Sequence, residues 1–303
     1  MGMLDGKVAL VTGAGRGVGR GVALELARAG AAVLVNDLGV TLAGEEADGA
    51  PAQQVVREIE AGGGRAAANG GNVASWDDAQ AMVAQAIEMF GRIDIVVNNA
   101  GNIRDVMFQR MTAEDFDAVI AVHLKGSFNV SRAAAPFFKE QASGCFVHMT
   151  SSSGLIGNMG QANYMAAKLG IVALSKSIAL DMARFNVRSN AVAPFAWTRM
   201  VDSIPVHTPE QQKRVEGLKK LVPEKIAPFV VALASDEGVA VSGQIFGVRN
   251  NEIYLFSQPR PIRTAHTAEG WSPEAIAERV FPQFANDFFP LHKSGDVFTW
   301  DPV

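Results

Sequence analysis

Short apolar runs alternating with helical stretches are the feature that most narrows the fold of this 303-residue chain. The runs KVALVTG (7–13), AAVLVND (31–37), RIDIVVNNAG (92–101) and GCFVHMTSS (144–152) are β-branched and nearly continuous. A strand with one wet face alternates apolar with polar residues. An unbroken apolar run is buried on both faces, as in a parallel sheet. Helical patterns lie at 18–29, 51–61, 76–90 and 112–140, and another runs from about Gln161 to Arg184. Strands are expected near 187–193 and 243–248. The expected fold class is α/β, a doubly wound parallel sheet with helices on both faces.

Three segments interrupt the alternation. Residues 39–51 form a polar, Gly-rich insertion after the second strand. Thr208-Pro209-Glu210-Gln211 has capping-box spacing with Pro in the first helical position, and Pro205 and Pro223 flank it. The spacing predicts a hinged surface helix over 209–220 that closes over substrate. Residues 249–303 hold nine of the 23 aromatic residues, too many for a disordered tail. The expected organisation is one domain over 1–248 and an aromatic, Pro-rich extension over 249–303 that packs on the body or on a neighbouring subunit.

Composition removes several classes. Apolar residues make up 48% of the chain, and the net charge of −4 leaves no broad basic surface for nucleic acid. The single Cys145 forms no internal disulfide and no cysteine-based zinc cage. His148, His207, His266 and His292 lack metal-site spacing, so no metal is expected. No apolar stretch is long enough to span a membrane, and Met1 to Lys7 has no signal-peptide character. A reducing, cytoplasmic location is expected.

The chemistry begins at Thr12-Gly13-Ala14-Gly15-Arg16-Gly17-Val18-Gly19, which follows the first strand and opens a helix. Residues without Cβ let a backbone approach a pyrophosphate, and the helix N-terminus offers free N–H groups and a positive dipole. Asp37 ends the second strand. A carboxylate there accepts from both ribose hydroxyls and repels a 2′-phosphate, which favours NAD over NADP. Arg16 is the contrary feature, because a cation in the loop could meet that phosphate.

Tyr164 and Lys168 are one helical turn apart and share a face. A phenol with its usual pKa near 10 is a poor base at neutral pH, and a nearby ammonium is expected to lower it. Lys168 can also reach the nicotinamide ribose. Ser151 ends a buried strand, at the sheet edge where ligands bind, and its hydroxyl can hold a substrate oxygen.

TGAGRGVG, Asn98-Asn99-Ala100-Gly101 and the Ser151…Tyr164…Lys168 array together resemble the short-chain dehydrogenase/reductase family over about residues 5–248. The resemblance implies a Rossmann fold and hydride transfer between a secondary alcohol or ketone and a nicotinamide dinucleotide. It implies a small-molecule substrate and a homodimer or homotetramer. It assigns catalysis to Ser151, Tyr164 and Lys168. It assigns cofactor contacts to Gly13, Gly15, Arg16, Gly17, Val18, Gly19, Asp37, Asn99, Ala100, Gly101, Tyr164 and Lys168. Asn98 braces the sheet. Asn72-Val73 takes the place of the family's Asp-Val adenine contact, and the Asn72 carbonyl oxygen can still face the adenine amine. His123 stands where the family has an asparagine whose main-chain carbonyl holds a relay water; it is either a relay residue or a packed histidine. The family's Pro-Gly is Pro194-Phe195 here, with Thr198 near the carboxamide or diphosphate.

VNDLG (35–39), VHLKGSF (122–128) and GNMGQANYMAAKLG (157–170) resemble more closely the hydroxyacyl-CoA dehydrogenase domain of the peroxisomal multifunctional β-oxidation enzyme and its bacterial relatives. That implies NAD and a 3-hydroxyacyl-CoA or steroid-like substrate. The alternatives are an NADPH-dependent 3-oxoacyl reductase and a non-catalytic dinucleotide-binding regulatory or scaffold protein. Lys213-Arg214 and Lys219-Lys220 either meet CoA phosphates or are a solvated helix face.

Overall fold

The computed structural model describes residues 2–39, 50–196, 212, 215–216 and 219–302. Most of the insertion (40–49), Thr198, Lys213-Arg214 and seven of the twelve residues of the expected 209–220 helix lie outside the described residues. The strands are β1 (Val8–Thr12), β2 (Ala32–Asn36), β3 (Ala66–Asn69), β4 (Ile95–Asn98), β5 (Gly144–Met149), β6 (Val187–Phe195), β7 (Ile245–Arg249) and β8 (Glu252–Leu255). They form one sheet in the order β3-β2-β1-β4-β5-β6-β7-β8. All neighbours are parallel except β7 and β8. The order reverses between β1 and β4, and in such sheets ligands bind beyond the C-terminal strand ends at that point.

The apolar runs are continuous because alternate residues feed two cores. Ala9, Val11, Val33, Val35, Ile95 and Val97 face helices α1 (Gly17–Arg28) and α2 (Ala50–Ala61) and the later α8 (Ala227–Ala234). Val8, Leu10, Leu34, Val96 and Phe146 face α3 (Trp76–Phe90) and α5 (Gly126–Gln141). Neither face is wet, so no polar alternation survives in the central strands. A buried carboxylate locks the entry to this sheet. Asp94 accepts from the Val8 amide at 2.9 Å and pairs with Arg92 at 2.6 Å, joining the β1 and β4 starts.

Three elements differ from the sequence expectation. β3 and β8 are additional strands, and α8 is an additional helix. The stretch expected as one helix over 112–140 holds α4 (Ala113–Ile120), a π-helical turn (Ala121–Lys125) and α5. A capping box of Thr112 and Asp115 starts it. The short α6 (Ser152–Leu155) and the long α7 (Ala162–Met182) follow β5. The C-terminal extension begins inside the sheet. β7 runs to Arg249, and β8 hydrogen-bonds along it. Phe298 then packs on Phe195 of β6 with ring centroids 4.7 Å apart.

Candidate active site

The glycine turn closes on the β4 end. Thr12 Oγ1 accepts from the Asn99 and Ala100 amides at 3.0 and 3.1 Å. Asn99 Nδ2 donates to the Thr12 and Gly13 carbonyls, both at 3.0 Å. A Cβ on Gly13, whose φ is +62°, would lie 2.8 Å from the Ala100 Cα. Such closeness leaves room for glycine alone. Arg16 is the N-cap of α1 but makes no side-chain cap bond, and the first turn carries no acidic residue. The N–H groups of Gly17, Val18 and Gly19 therefore point from an uncapped helix start, the donor arrangement a diphosphate needs. By that measure the residues present fit a dinucleotide.

Asp37 sits half-buried beside this turn. Its Oδ2 accepts from the Gly15 amide at 2.7 Å and its Oδ1 from Gly39 at 2.8 Å. A Cβ on Gly15 would come within 2.7 Å of that carboxylate. Arg16 lies exposed at the tip of the turn. Asn72 presents less than the sequence suggests, since its Oδ1 already accepts from the Ala74 amide at 2.9 Å. Val73 is buried under Gly126, and Asn129 Nδ2 holds its carbonyl at 3.0 Å. Pro194 pairs with Val248 near the end of β6, on the ligand edge of the sheet.

Ser151, Tyr164 and Lys168 come together at the end of β5. Ser151 caps α6, its Oγ accepting from the Ser153 amide at 3.2 Å, and its hydroxyl lies near enough to the Tyr164 phenol to influence its ionisation. The Lys168 Nζ lies 5.5 Å from the Tyr164 ring centroid and donates to the Met149 carbonyl at 2.6 Å. Thr150 Oγ1 in turn donates to the Lys168 carbonyl at 2.7 Å, which ties α7 to the strand end.

The electrostatics differ from the sequence expectation. Burial pushes the Tyr164 phenol above its ordinary value; the nearby Ser151 hydroxyl pulls it down and the Asp105 carboxylate adds to the rise. Burial also lowers the Lys168 ammonium to about 7. Burial thus works against the charge on Lys168 and against the phenolate alike, opposing the effect expected of the pair. Both groups lose solvation in the same crevice, and that loss outweighs their proximity.

His123 lies on the π-helical turn and is buried. Its ring meets Tyr164 edge to face, with centroids 5.2 Å apart at 89°. Nε2 is 2.8 Å from the Asn102 carbonyl, and Nδ1 is buried without a partner. A Cβ on Gly101 would strike the ring at 2.3 Å, so Gly101 makes the space that His123 fills. Desolvation, then the Lys168 charge, lower its pKa to about 3, and it is neutral at working pH. Its main-chain carbonyl accepts from Ser127 Oγ at 2.6 Å. Asn98 Nδ2 reaches Ser131 Oγ at 2.9 Å and His148 Nδ1 at 3.2 Å, joining β4, α5 and β5.

Burial also lowers His148 to about 3. An unfolded histidine titrates near 6.5. Below that pH the unfolded chain takes up two protons that the folded protein refuses until about pH 3. Stability is therefore intact above 6.5 and is lost as pH falls toward 3. By linkage, going from pH 7 to pH 5 costs on the order of 4 kcal/mol for the pair. Urea midpoints at the two pH values check this; coincident midpoints would contradict it.

The sequence pointed to no role for the segment after β4, which forms the lip of the site. Arg104 O, Asp105 Oδ2 and the Val106 amide bond to Asn163, Gln161 and the Gly160 carbonyl at 2.9, 2.7 and 2.9 Å. An open cavity of about 460 Å³, lined by Asp105, Val106, Met107, Arg110 and Gly160, lies along this seam. The signal in the sequence is the amide-rich stretch Asn158 to Asn163: Asn158 and Gln161 bond side chains and Asn163 bonds the Arg104 and Asp115 carbonyls. Cys145 is buried and free. Among the described residues no cluster could hold a metal ion, and no helix is long and apolar enough to cross a membrane.

The family model for short chain dehydrogenases matches residues 7–205. The chain belongs to the short-chain dehydrogenase family. A short-chain type dehydrogenase/reductase of Mycobacterium tuberculosis is 48% identical over 232 residues, covering 76% of this chain and 78% of that protein. The hydroxyacyl-CoA dehydrogenase ChsB1 of the same organism is 38% identical over 296 residues, covering 93% and 90%. A solved 7α-hydroxysteroid dehydrogenase in complex with NADH and 7-oxo glycochenodeoxycholic acid superposes with a TM-score of 0.73 at 32% identity, covering 82% of this chain and 94% of that one. The chain spans about a third of the length of peroxisomal multifunctional enzymes that it matches in Neurospora crassa and Mus musculus. This short-chain dehydrogenase is an oxidoreductase that moves hydride between secondary alcohols and ketones with a nicotinamide dinucleotide.

Proposed function

We propose that the chain oxidises a 3-hydroxyacyl-CoA, or a hydroxysteroid-like alcohol, with NAD. The observation that carries the reading is the buried Tyr164 phenol, gathered with Ser151 and under Lys168 at the strand ends, next to the uncapped glycine turn. When bound, oxidised NAD supplies the hydride acceptor and a positive ring. Gly13, Gly15, Gly17, Val18 and Gly19 hold the diphosphate, and Asp37 takes the ribose hydroxyls. Asn72 and Val73 border the adenine. Asn99, Ala100, Gly101 and Pro194 line the nicotinamide half, with Lys168 on its ribose. Ser151 holds the substrate oxygen while Tyr164 takes its proton. His123 fixes the face of the Tyr164 ring and, being neutral, adds no competing charge. The substrate class rests on the likeness to ChsB1 and to the hydroxysteroid dehydrogenase.

Arg16, exposed at the turn, supports a second reading, an NADPH-dependent 3-oxoacyl reductase. Asp37 favours the first, because a carboxylate this close to the turn repels a 2′-phosphate. Turnover of hydroxyacyl-CoA and hydroxysteroid panels with each cofactor tests the choice. NAD is expected to give at least tenfold higher kcat/KM; a preference for NADP would reverse the assignment. The same reading expects a cytoplasmic homodimer or homotetramer, as the family resemblance implies, and sedimentation tests the subunit number.

A further inference from the structure

The C-terminal extension touches the substrate side of the site at two places. At the first, Ser294 donates to the Gly157 carbonyl through its amide at 2.9 Å and its hydroxyl at 3.3 Å. Gly157 has φ +153°, and a Cβ there would lie 2.7 Å from the His292 carbonyl oxygen. It is buried and lies seven residues before Tyr164, in the loop that leads into α7. At the second, Phe298 meets Phe195 edge to face at 4.7 Å and Tyr254 at 5.2 Å. The end beyond it is fastened. The buried Arg249 guanidinium bonds the Trp300 carbonyl, pairs with Glu252 at 3.1 Å and lies 5.4 Å from the Trp300 ring. Trp300 Nε1 donates to Glu252 at 2.7 Å. Phe195 ends β6, whose Val192 carbonyl accepts from the Thr150 amide next to Ser151. The segment therefore crosses the ligand edge of the sheet from the Tyr164 loop to the β6 end. Among the described residues no hydrogen bond or ion pair joins this segment to the glycine turn or to Asp37.

We propose that residues 292–300 form a specificity-determining wall of the substrate half of the site, and that Phe298, held on Phe195, sets the size of the apolar substrate body that Tyr164 reaches. Two phenyl rings packed edge to face present one apolar surface, which favours an alkyl chain or a ring system and disfavours a charged group. Fastening at both ends makes the wall a fixed surface rather than a mobile tail. The inference rests on the carbinol-oxidising function proposed above and deepens it.

The experiment compares kcat and KM for 3-hydroxybutyryl-CoA and 3-hydroxypalmitoyl-CoA in the full chain and in Phe298→Ala, Phe298→Leu and Gly157→Ala. Phe298→Ala is expected to shift the long-to-short ratio of kcat/KM about tenfold toward the long substrate, the usual weight of a pocket contact. The shift should lie mainly in KM, with the cofactor Kd by fluorescence quenching within about twofold. Phe298→Leu should restore most of the short-chain preference. Gly157→Ala, which forces His292 outward, should shift the ratio the same way. An unchanged ratio in folded, cofactor-binding Phe298→Ala and Gly157→Ala overturns the wall and leaves the proposed function standing. A loss that falls equally on both substrates and on cofactor affinity also overturns it. No turnover by the full chain of either acyl-CoA or of a hydroxysteroid panel overturns both readings; turnover of hydroxysteroids alone overturns the acyl-chain wall and leaves the proposed function standing.

Discussion

Tyr164→Phe is expected to lower kcat about a thousandfold while leaving cofactor affinity within a few fold. The substitution removes one oxygen from a ring whose packing stays. The ring keeps its edge contact with His123 and its place under Lys168. Its Oη lies near the Ser151 hydroxyl, and even a full hydrogen bond there would be worth only about 1 kcal/mol to folding. The fold should survive, and only the proton acceptor is lost, which in general acid–base catalysis is worth roughly a hundredfold to ten-thousandfold. Single-turnover hydride transfer at saturating cofactor, with a melting curve beside it, checks the result. A variant that keeps turnover within tenfold would remove Tyr164 from the chemistry.

Gly19→Ala is expected to abolish measurable dinucleotide binding and to destabilise the fold by roughly 1–3 kcal/mol, the usual cost of an overpacked site. A Cβ at this position would lie 2.3 Å from the Gly13 carbonyl oxygen and 2.5 Å from Asn99 Nδ2. The carbonyl is backbone and already accepts from Asn99, so it cannot swing aside as a surface side chain would. Relief requires α1 to move away from the turn, which turns its free N–H groups off the position a diphosphate would take. A matched Gly63→Ala control probes the backbone term alone: Gly63 has φ +81° and open space around its Cβ. That variant should lose some stability and bind cofactor normally. Equal cofactor binding by Gly19→Ala and the parent chain would mean that the turn does not hold a dinucleotide.

The elements missed from the sequence share a cause. β3 is Ala-Ala-Ala-Asn, with none of the β-branched residues that mark a strand, and it exists because β2 offers a free edge. β8 is exposed on alternate residues and is likewise held by its pairing with β7. α8 is apolar nearly all round and follows prolines, so period alone could not separate it from a strand. The π-helical turn leaves no compositional trace, yet it carries His123 at the point where the ring meets Tyr164. In each case packing against a neighbour decides what local preference leaves open.

Local chemistry alone was enough for the glycine turn, the two-faced strands, the carboxylate at the end of β2 and the one-turn spacing of Tyr164 and Lys168. Each depends on residues adjacent in the chain, and backbone sterics or helix period dictates their geometry whatever lies around them. Charge states and walls were decided only by the tertiary structure. Lys168 falls to about 7 and Tyr164 rises because water is excluded from both, and no spacing records that exclusion. Phe298 meets Phe195 across about a hundred residues of chain, and Ser294 finds Gly157 across more. Contacts of that range follow from how the sheet stacks its strands, which is a property of the whole fold rather than of any segment.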